Sequence, residues 1–196
     1  MNSSVLDALE RRGMVAQVSS GDLGRMLGET KLTAYTGFDP TADSLHLGHL
    51  VPIMMLARLQ RAGHGVIALV GGATGMVGDP SGKSEERKLL TADELARNVE
   101  GVRKQLARFL AFDGPSPATL LDNNDWISKM PFVDWLREVG KHFTVNYMLA
   151  KDSVKSRLGS EGGISFTEFS YMTMQAYDFL YLFDKCGCRL QCGGSD

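Results

Sequence analysis

Hydrophobic positions along the chain alternate between short continuous runs and longer helical repeats. Val66–Val70 is apolar at every position, which is typical of a strand buried on both faces of a parallel sheet. Leu32–Thr36 is predicted as an earlier strand, and Leu47–Ala62 between them as an apolar helix. Pro52 suits a first helical turn, so regular helix is expected from near Gly48. Strand, helix and strand in this order predict a βαβ unit with a right-handed crossover.

The rest of the chain is predicted as helices and two further short strands, Ala118–Leu121 and Arg189–Cys192. We therefore expect an α/β fold, a Rossmann-like doubly wound parallel sheet with a helical insertion at about 126–162. An N-terminal helical segment, 1–32, would precede the sheet domain, 33–196. The predicted helices outside the βαβ unit are Val5–Arg12, Asp22–Leu27, Ala92–Phe112, Phe132–Phe143, Tyr147–Leu158 and Phe166–Lys185.

Composition and charge indicate a globular protein without a surface devoted to nucleic acid. The chain has 196 residues, of which 43% are hydrophobic, and a net charge of −2. It can bury a sizeable core, and its near-neutral balance argues against coating nucleic acid. No apolar run approaches membrane-spanning length, and the first residues lack the apolar centre of a signal peptide. We expect a cytoplasmic protein that does not contact membranes.

The cysteines are odd in number and crowded near the end of the chain, at Cys186, Cys188 and Cys192. A zinc site would need a second pair or nearby histidines, and the histidines lie far upstream. We expect reduced, partly buried thiols and no metal site formed by side chains.

Two histidines follow a proline-containing turn after the first predicted strand. Asp43 or Ser44 can accept hydrogen bonds from a first helical turn, and His46 and His49 would share one face there. Unpaired N–H groups and the helix dipole favour phosphate at such an end, and Gly48 lets a ligand approach the backbone. An isolated H-x-x-H pattern more often reflects two histidines at a partly buried helix start than a phosphate site.

Glycines follow the buried strand in two groups, Gly71–Gly75 and Gly78–Ser84. Parallel sheets bind ligands at the carboxyl ends of their strands, which is where these glycines fall. A P-loop would need glycine at the position of Val77, so a P-loop phosphotransferase is the least supported alternative. Lys83 and Arg87, taken alone, also fit a solvated charged loop.

Polar side chains share one face of the predicted helix Phe166–Lys185. Tyr171, Gln175 and Asp178 are spaced i, i+4 and i+7, while the helix as a whole is too apolar for the surface. Buried polar groups need partners, and a bound polar ligand can supply them. The residues expected to face the core are Phe169, Met172, Ala176 and Phe179.

The run from Gly37 to His49, G-F-D-P-T-A-D-S-L-H-L-G-H, closely resembles the signature of bacterial tyrosyl-tRNA synthetases. These are class I enzymes whose H-I-G-H sequence contacts ATP, and Leu47 stands here where isoleucine is commoner. Other motifs agree in order and extend the resemblance over nearly the whole chain, from about Leu6 to Asp196: Gly78–Lys83, Ser170–Phe179 and Gly193–Asp196.

The resemblance implies roles for individual residues. Asp178 and Tyr35 would meet the phenolic hydroxyl of tyrosine, and Asp39, Asp79 and Tyr171 would surround its ammonium group. The full tyrosine-binding set is Tyr35, Gly37, Asp39, Asp79, Tyr171, Gln175, Asp178 and Gln191. The residues implied for ATP are Thr41, Gly48, Gly193, Gly194 and Asp196. The catalytic positions are His46, His49, Lys83 and Arg87, the last two on a loop that reaches the pyrophosphate.

The implied activity is activation of L-tyrosine by ATP, with Mg²⁺, followed by transfer to tRNA(Tyr). In-line attack of the substrate carboxylate on the α-phosphate needs no enzyme nucleophile, so catalysis would be positioning and charge stabilisation. Tryptophanyl-tRNA synthetase is a close alternative, disfavoured because Tyr35 and Asp178 suit a phenol better than an indole. A non-catalytic nucleotide- or RNA-binding fragment is an alternative from another class.

Two features concern the rest of the molecule. A second class I signature of the K-M-S-K-S type has no match in the sequence, nor does an anticodon-binding domain, so we expect an N-terminal portion of a longer enzyme, with impaired full activity. The segment 126–162 has more apolar residues than a peripheral flap needs, and the family resemblance implies a homodimer through it. These residues are Phe132, Val133, Trp135, Phe143 and Met148.

Overall fold

The computed structural model describes residues 4–78, 90–159 and 163–194, and these contain a four-stranded parallel sheet. The strand order is β3-β2-β1-β4. The strands are β1 Thr33–Phe38, β2 Gly65–Val70, β3 Thr119–Asp122 and β4 Cys188–Gln191. All neighbouring pairs are parallel. The predicted α/β fold class and its strands are confirmed, with small differences at the strand ends.

Helices connect and cover the strands. They are α1 Val5–Glu10, α2 Leu23–Glu29, α3 Leu50–Arg61, α4 Thr74–Val77, α5 Ala92–Leu106, α6 Asn124–Ile127, α7 Phe132–Glu138, α8 Val145–Leu149, α9 Asp152–Leu158 and α10 Phe166–Cys186. Short 3-10 turns lie at Leu47–His49 and Gly140–His142.

Several predicted helix boundaries are wrong. The α-helix expected from near Gly48 begins at Leu50 after a 3-10 turn, although Pro52 does occupy its first turn. Helix α5 ends at Leu106 rather than at the predicted Phe112. Beyond that end, the Gln60 side chain replaces helical partners by donating to the Ala111 carbonyl at 2.6 Å and accepting from the Ala111 amide at 3.1 Å.

One face of the sheet is covered by α3 and α5, and its interior is mainly apolar, with Thr36 as a buried polar residue on the same side of β1. Phe38, Val66 and Val70 of the strands pack there with Leu56 of α3 and Val102 of α5. The strands are apolar on both faces because each face is covered by helices, as expected for a parallel sheet. Parts of α1 and α2 extend this core, so the proposed boundary at residue 32 stays a prediction.

The opposite face packs against α6 and α10. Its cluster contains Tyr35, Ile67, Leu69, Trp126 and Leu182. The prediction for the core face of α10 is only partly confirmed: Phe179 packs against this cluster, but Ala176 is exposed, and Phe169 and Met172 are only partly buried. The buried positions of α10 are Glu168, Tyr171, Thr173, Asp178 and Leu182, so the helix turns mainly polar groups toward the sheet.

Helices α7, α8 and α9 lie within the predicted insertion. The predicted helix 132–143 is broken after Glu138, and 147–158 is divided between α8 and α9. Arg157 of α9 forms a bidentate ion pair with Glu168 of α10, at 2.7 Å and 3.0 Å, and both side chains are about 95% buried. This pair fixes the end of the insertion against the first turn of α10.

The cysteines described by the structure are all free thiols: Cys186 is exposed, Cys188 buried and Cys192 partly buried. Burial raises the pKa of Cys188 to about 11 and that of Cys192 to about 12. Both are therefore protonated near neutral pH and behave as small apolar side chains. In the described part of the chain, every helix is too short or too polar to traverse a lipid bilayer.

Candidate active site

An opening lies over the central strand at Gly37. Tyr35, Gly37 and Asp39 point to the same face because side chains alternate along a strand. Gly37 is exposed, and a Cβ built on it would meet no atom within 4 Å. Strand order reverses beside this strand, between β1 and β4, and such a point is where open parallel sheets bind ligands.

Asp39 stands at one end of this opening. Its carboxylate accepts a hydrogen bond from the Tyr171 hydroxyl at 3.0 Å and another from the Thr74 hydroxyl at 2.9 Å. Tyr171 and Asp39 lie 132 positions apart in sequence, so α10 and β1 must both be in place to form the contact. These two residues, which were predicted to belong to one site, are therefore in direct contact.

Asp178 stands at the other end and is 2% exposed. Its two oxygens accept from Asn123 Nδ2 at 2.9 Å and from Trp126 Nε1 at 2.8 Å. A bound ligand is therefore not needed to give this buried carboxylate its partners, although the sequence suggested that a ligand would supply them. Each carboxylate oxygen can accept more than one hydrogen bond, so capacity for a substrate donor remains.

Asn123 joins the two ends into one network. Its Nδ2 also donates to Thr74 Oγ1 at 3.0 Å, and its Oδ1 accepts from the Ala73 amide at 2.8 Å. Hydrogen bonds therefore run continuously from Tyr171 through Asp39, Thr74 and Asn123 to Asp178 and Trp126. Such a network holds side chains in fixed orientations, because moving one member leaves another buried group without its partner.

Burial raises the pKa of Asp178 from 3.8 to about 7. The hydrogen bonds from Asn123 and Trp126 oppose this rise, while the charges of Asp39 and Asp122 add to it. The protonation state of this carboxyl group thus changes near neutral pH. A deprotonated Asp178 accepts hydrogen bonds more strongly than a neutral one.

Three further predicted tyrosine-binding residues lie on β1, β4 and α10. Tyr35 is buried beside Phe179, with ring centroids 5.5 Å apart. Gln191 is paired with Tyr35 in the sheet and is exposed. Gln175 is partly buried one turn beyond Tyr171 on α10.

Close packing explains why two glycines, Gly71 and Gly72, follow β2. A Cβ on Gly71 would overlap the Asp39 carboxylate and the Thr74 hydroxyl, and one on Gly72 would come 2.8 Å from Asp122 Cγ. The Gly72 amide donates to Asp122 at 3.1 Å. These glycines let two carboxylates approach the backbone, which brings the ends of three strands together.

The two histidines cap their own helix start, so the prediction of Asp43 or Ser44 as the cap is wrong. His46 Nδ1 accepts from the Gly48 amide at 3.1 Å, and His49 Nδ1 accepts from the His46 amide at 3.2 Å. The centroids of the two imidazole rings lie 3.8 Å apart. A Cβ on Gly48 would come 2.9 Å from the His46 ring, so this glycine is also needed for the capping geometry.

These hydrogen bonds assign the neutral tautomer with the proton on Nε2 for both rings. Partial burial and the neighbouring His46 lower the pKa of His49. His49 is therefore an uncharged donor near neutral pH, and both rings can present an Nε2–H group to a phosphate oxygen.

The family model for tRNA synthetases of class I (W and Y) matches residues 26–196. The chain belongs to this family. The predicted resemblance to tyrosyl-tRNA synthetases is confirmed by relatives that are more than 50% identical to the chain over nearly its whole length. The tyrosine–tRNA ligase of Roseiflexus castenholzii is 57% identical over 99% of the chain, and tyrosine–tRNA ligase 1 of Bacillus subtilis is 54% identical over 99%.

Solved structures of the family have the same fold. A C-terminally truncated mitochondrial tyrosyl-tRNA synthetase of Aspergillus nidulans has a TM-score of 0.89 and 36% identity, over 100% of this chain and 58% of that one. The chain spans about half the length of the curated relatives, since it covers 46% of each of the two named above.

Some predicted synthetase residues lie outside the described residues, namely Asp79, Lys83, Arg87 and Asp196. Gly193 and Gly194 follow β4 and are exposed, as is Thr41, whose amide donates to the Asp39 carbonyl at 2.9 Å. The site roles of all these residues stay predictions.

Sequence reasoning missed three members of the network: Thr74, Asn123 and Trp126. Asn123 directly follows β3, and Thr74 begins the helix after β2. Their place at the carboxyl ends of neighbouring strands was an available signal. Trp126 had no such signal, because its contact with Asp178 depends on the packing of α6 against α10.

Proposed function

We propose that this chain binds L-tyrosine in the slot, defined as the opening at Gly37 between the Asp39–Tyr171 end and the Asp178–Tyr35 end. Asp178 lies about 10 Å further along α10 than Tyr171, and Tyr35 a similar distance back along β1 from Asp39. A carboxylate at each end with an exposed glycine between them suits an amino acid with an ammonium group and a distant hydroxyl. This arrangement is the observation that carries the proposal.

The activity that follows is formation of tyrosyl-adenylate from tyrosine and ATP, and transfer of tyrosine to tRNA(Tyr) by the complete enzyme. The Nε2–H groups of His46 and His49 would donate to the phosphates, with Thr41, Gly48, Gly193, Gly194 and Asp196 around the nucleotide. Lys83 and Arg87 would contact the pyrophosphate. These groups stabilise charge that develops on the phosphates in the transition state.

Mg²⁺ would enter bound to ATP. Among the described residues, no three histidine, cysteine, aspartate or glutamate side chains come together to hold a metal. Mg²⁺ is commonly bound through substrate phosphates and water, and there it neutralises part of the phosphate charge.

Tyrosine-dependent exchange between ATP and pyrophosphate, measured on the 196-residue chain, tests the proposal. Exchange should depend on tyrosine and be weak with phenylalanine or tryptophan. His46→Ala and His49→Ala should each lower kcat while leaving the tyrosine Kd unchanged, since both residues lie outside the slot. Calorimetry that detects no tyrosine binding, together with absent exchange, would contradict the proposal, and efficient exchange with tryptophan would favour the tryptophan alternative.

A homodimer through the insertion is part of the same proposal. Phe132 and Val133 of α7 are 62% and 63% exposed, and Val145 and Tyr147 of α8 are also exposed. Association sites are typically apolar, and these exposed side chains would supply such a surface here. Trp135 and Phe143 are partly buried and Met148 is buried, so they support the helices instead. Sedimentation should show a dimer at micromolar concentration, and Phe132→Asp should shift it to monomer. A cytoplasmic location follows from the proposed role.

A further inference from the structure

The connecting loop, Pro40–Leu45, joins the slot to the histidine turn. Its two ends are packed, since Pro40 is buried and Leu45 packs against the apolar core, but residues 41–44 between them are all exposed. Exposed loop segments without packed side chains usually sample several conformations. The loop nevertheless has to hold Thr41, His46 and His49 at fixed distances from the slot.

Side-chain amides of α5 bind the backbone of this loop at both of its ends. Asn98 Nδ2 donates to the Pro40 carbonyl at 3.0 Å. Gln105 Nε2 donates to the Asp43 carbonyl at 3.2 Å, and Gln105 Oε1 accepts from the Leu45 amide at 3.0 Å. Gln105 therefore uses its donor and its acceptor on two different loop residues.

Gly101 lies between these amides on the same helical face, at i+3 from Asn98 and four before Gln105. A Cβ on Gly101 would overlap the Asp43 carbonyl oxygen and would lie 3.1 Å from its carbon and 3.4 Å from Asp43 Cα. The loop backbone thus rests directly on the helix. By contrast, a Cβ on Gly28 of α2 would meet nothing within 4 Å.

The three residues form a partly buried stripe beside the core residues of α5. Val102 and Leu106 are buried in the apolar core and hold the helix in place, and Leu95 is buried near its start. The stripe therefore transmits the position of a rigid helix to an exposed loop. Hydrogen bonds to backbone groups fix the loop whatever its side chains are.

We propose that the α5 stripe, Asn98, Gly101 and Gln105, sets the position of the two histidines relative to the tyrosine slot. The three are positioning residues, since they act through the loop rather than on a substrate. The inference rests on the proposed function, and it adds determinants of the activation rate that lie outside the ligand site. Displacing a reacting group by about 1 Å can lower the reaction rate about 100-fold. Residues that fix the position of the histidines should therefore affect the rate of tyrosine activation.

Gly101→Ala and Gln105→Met test the inference in the 196-residue chain. Gly101→Ala should lower kcat of tyrosine-dependent pyrophosphate exchange by about 100-fold, because the loop has to move away from the new Cβ. Gln105→Met keeps the length of the side chain, loses both hydrogen bonds, and should lower kcat by about tenfold. The tyrosine Kd from calorimetry should be unchanged in both variants.

Gly28→Ala is the matched control for the glycine change, and Glu100→Ala the control for an exposed α5 side chain. Both should leave kcat unchanged. A structural role alone would lower the melting temperature and shift kcat and tyrosine Kd together, and that result would overturn the inference.

Hydrogen exchange of the Leu45 amide separates this inference from the proposed function. The amide should exchange faster in Gln105→Met than in the unmodified chain, whether or not tyrosine is a substrate. Unchanged exchange at Leu45 and unchanged kcat would overturn the stripe's role. A lack of tyrosine binding in the unmodified chain would instead contradict the proposed function.

Discussion

The two faces of the sheet are built by different chemistry. The face under α3 and α5 buries Phe38, Leu56 and Val102 among other apolar side chains. The face under α6 and α10 buries carboxylates and amides, including Asp178 and Asn123. Burying polar groups costs free energy unless each finds a partner, and these groups are partnered mainly with one another. The apolar face is therefore held by packing alone, whereas the polar face also depends on hydrogen bonds and ion pairs, and it carries the proposed tyrosine slot.

The largest expected effect is on the polar side, at the buried ion pair. Arg157→Met leaves the Glu168 carboxylate buried without its bidentate partner, which should lower the free energy of unfolding by about 3–5 kcal/mol. Urea unfolding followed by circular dichroism measures this cost. The double variant Arg157→Met, Glu168→Leu should recover most of the loss. If the single and double variants were equally unstable, the lost pairing would not be the cause.

A cavity on the apolar face should reduce stability without changing recognition. Leu56 is fully buried, and Leu56→Ala should lower the free energy of unfolding by about 3 kcal/mol. Tyrosine affinity, measured by calorimetry below the unfolding temperature, should stay as in the unmodified chain. A large loss of affinity in the folded variant would show that the two faces are not separable in this way.

A smaller effect concerns the pH dependence of stability. The pKa of Asp178 is raised in the folded chain from 3.8 to about 7, so the folded state binds this proton more tightly than the unfolded state. Its contribution to stability is therefore complete below the unfolded value and is lost as pH rises through about 7. Asp178→Asn should remove this part of the slope of unfolding free energy against pH. An identical slope in both proteins would show that other groups titrate.

The apolar face could be predicted from sequence more fully than the polar face. Val66–Val70 is a short apolar run flanked by glycines, which favours a buried strand over a helix, so β2 and its neighbours could be predicted with small errors at their ends. The place of the site was predictable for the same reason, because Gly37 and Asp39 lie on and just after the central strand.

The polar contacts could not be predicted in the same way. Asn123 and Trp126 meet Asp178 across 55 and 52 positions, and no spacing along the chain records such contacts. A helix cap is formed by whichever nearby acceptor lies within hydrogen-bonding distance of the free amides. Here the acceptors are His46 and His49 instead of Asp43. The buried face of α10 was misjudged because apolar side chains usually face inward, and here a polar network does.

The most direct test of the central claim compares tyrosine with phenylalanine at Asp178. Calorimetry on the unmodified chain should give much tighter binding of tyrosine, since phenylalanine offers no hydroxyl to the buried carboxylate. In Asp178→Ala, tyrosine should weaken strongly and phenylalanine much less, so that the ratio of their affinities narrows. Circular dichroism has to show a folded variant, and Asp178→Asn, which keeps the side-chain volume, provides a second measurement. An unchanged ratio in both folded variants would contradict the account, because the phenol would then be recognised elsewhere.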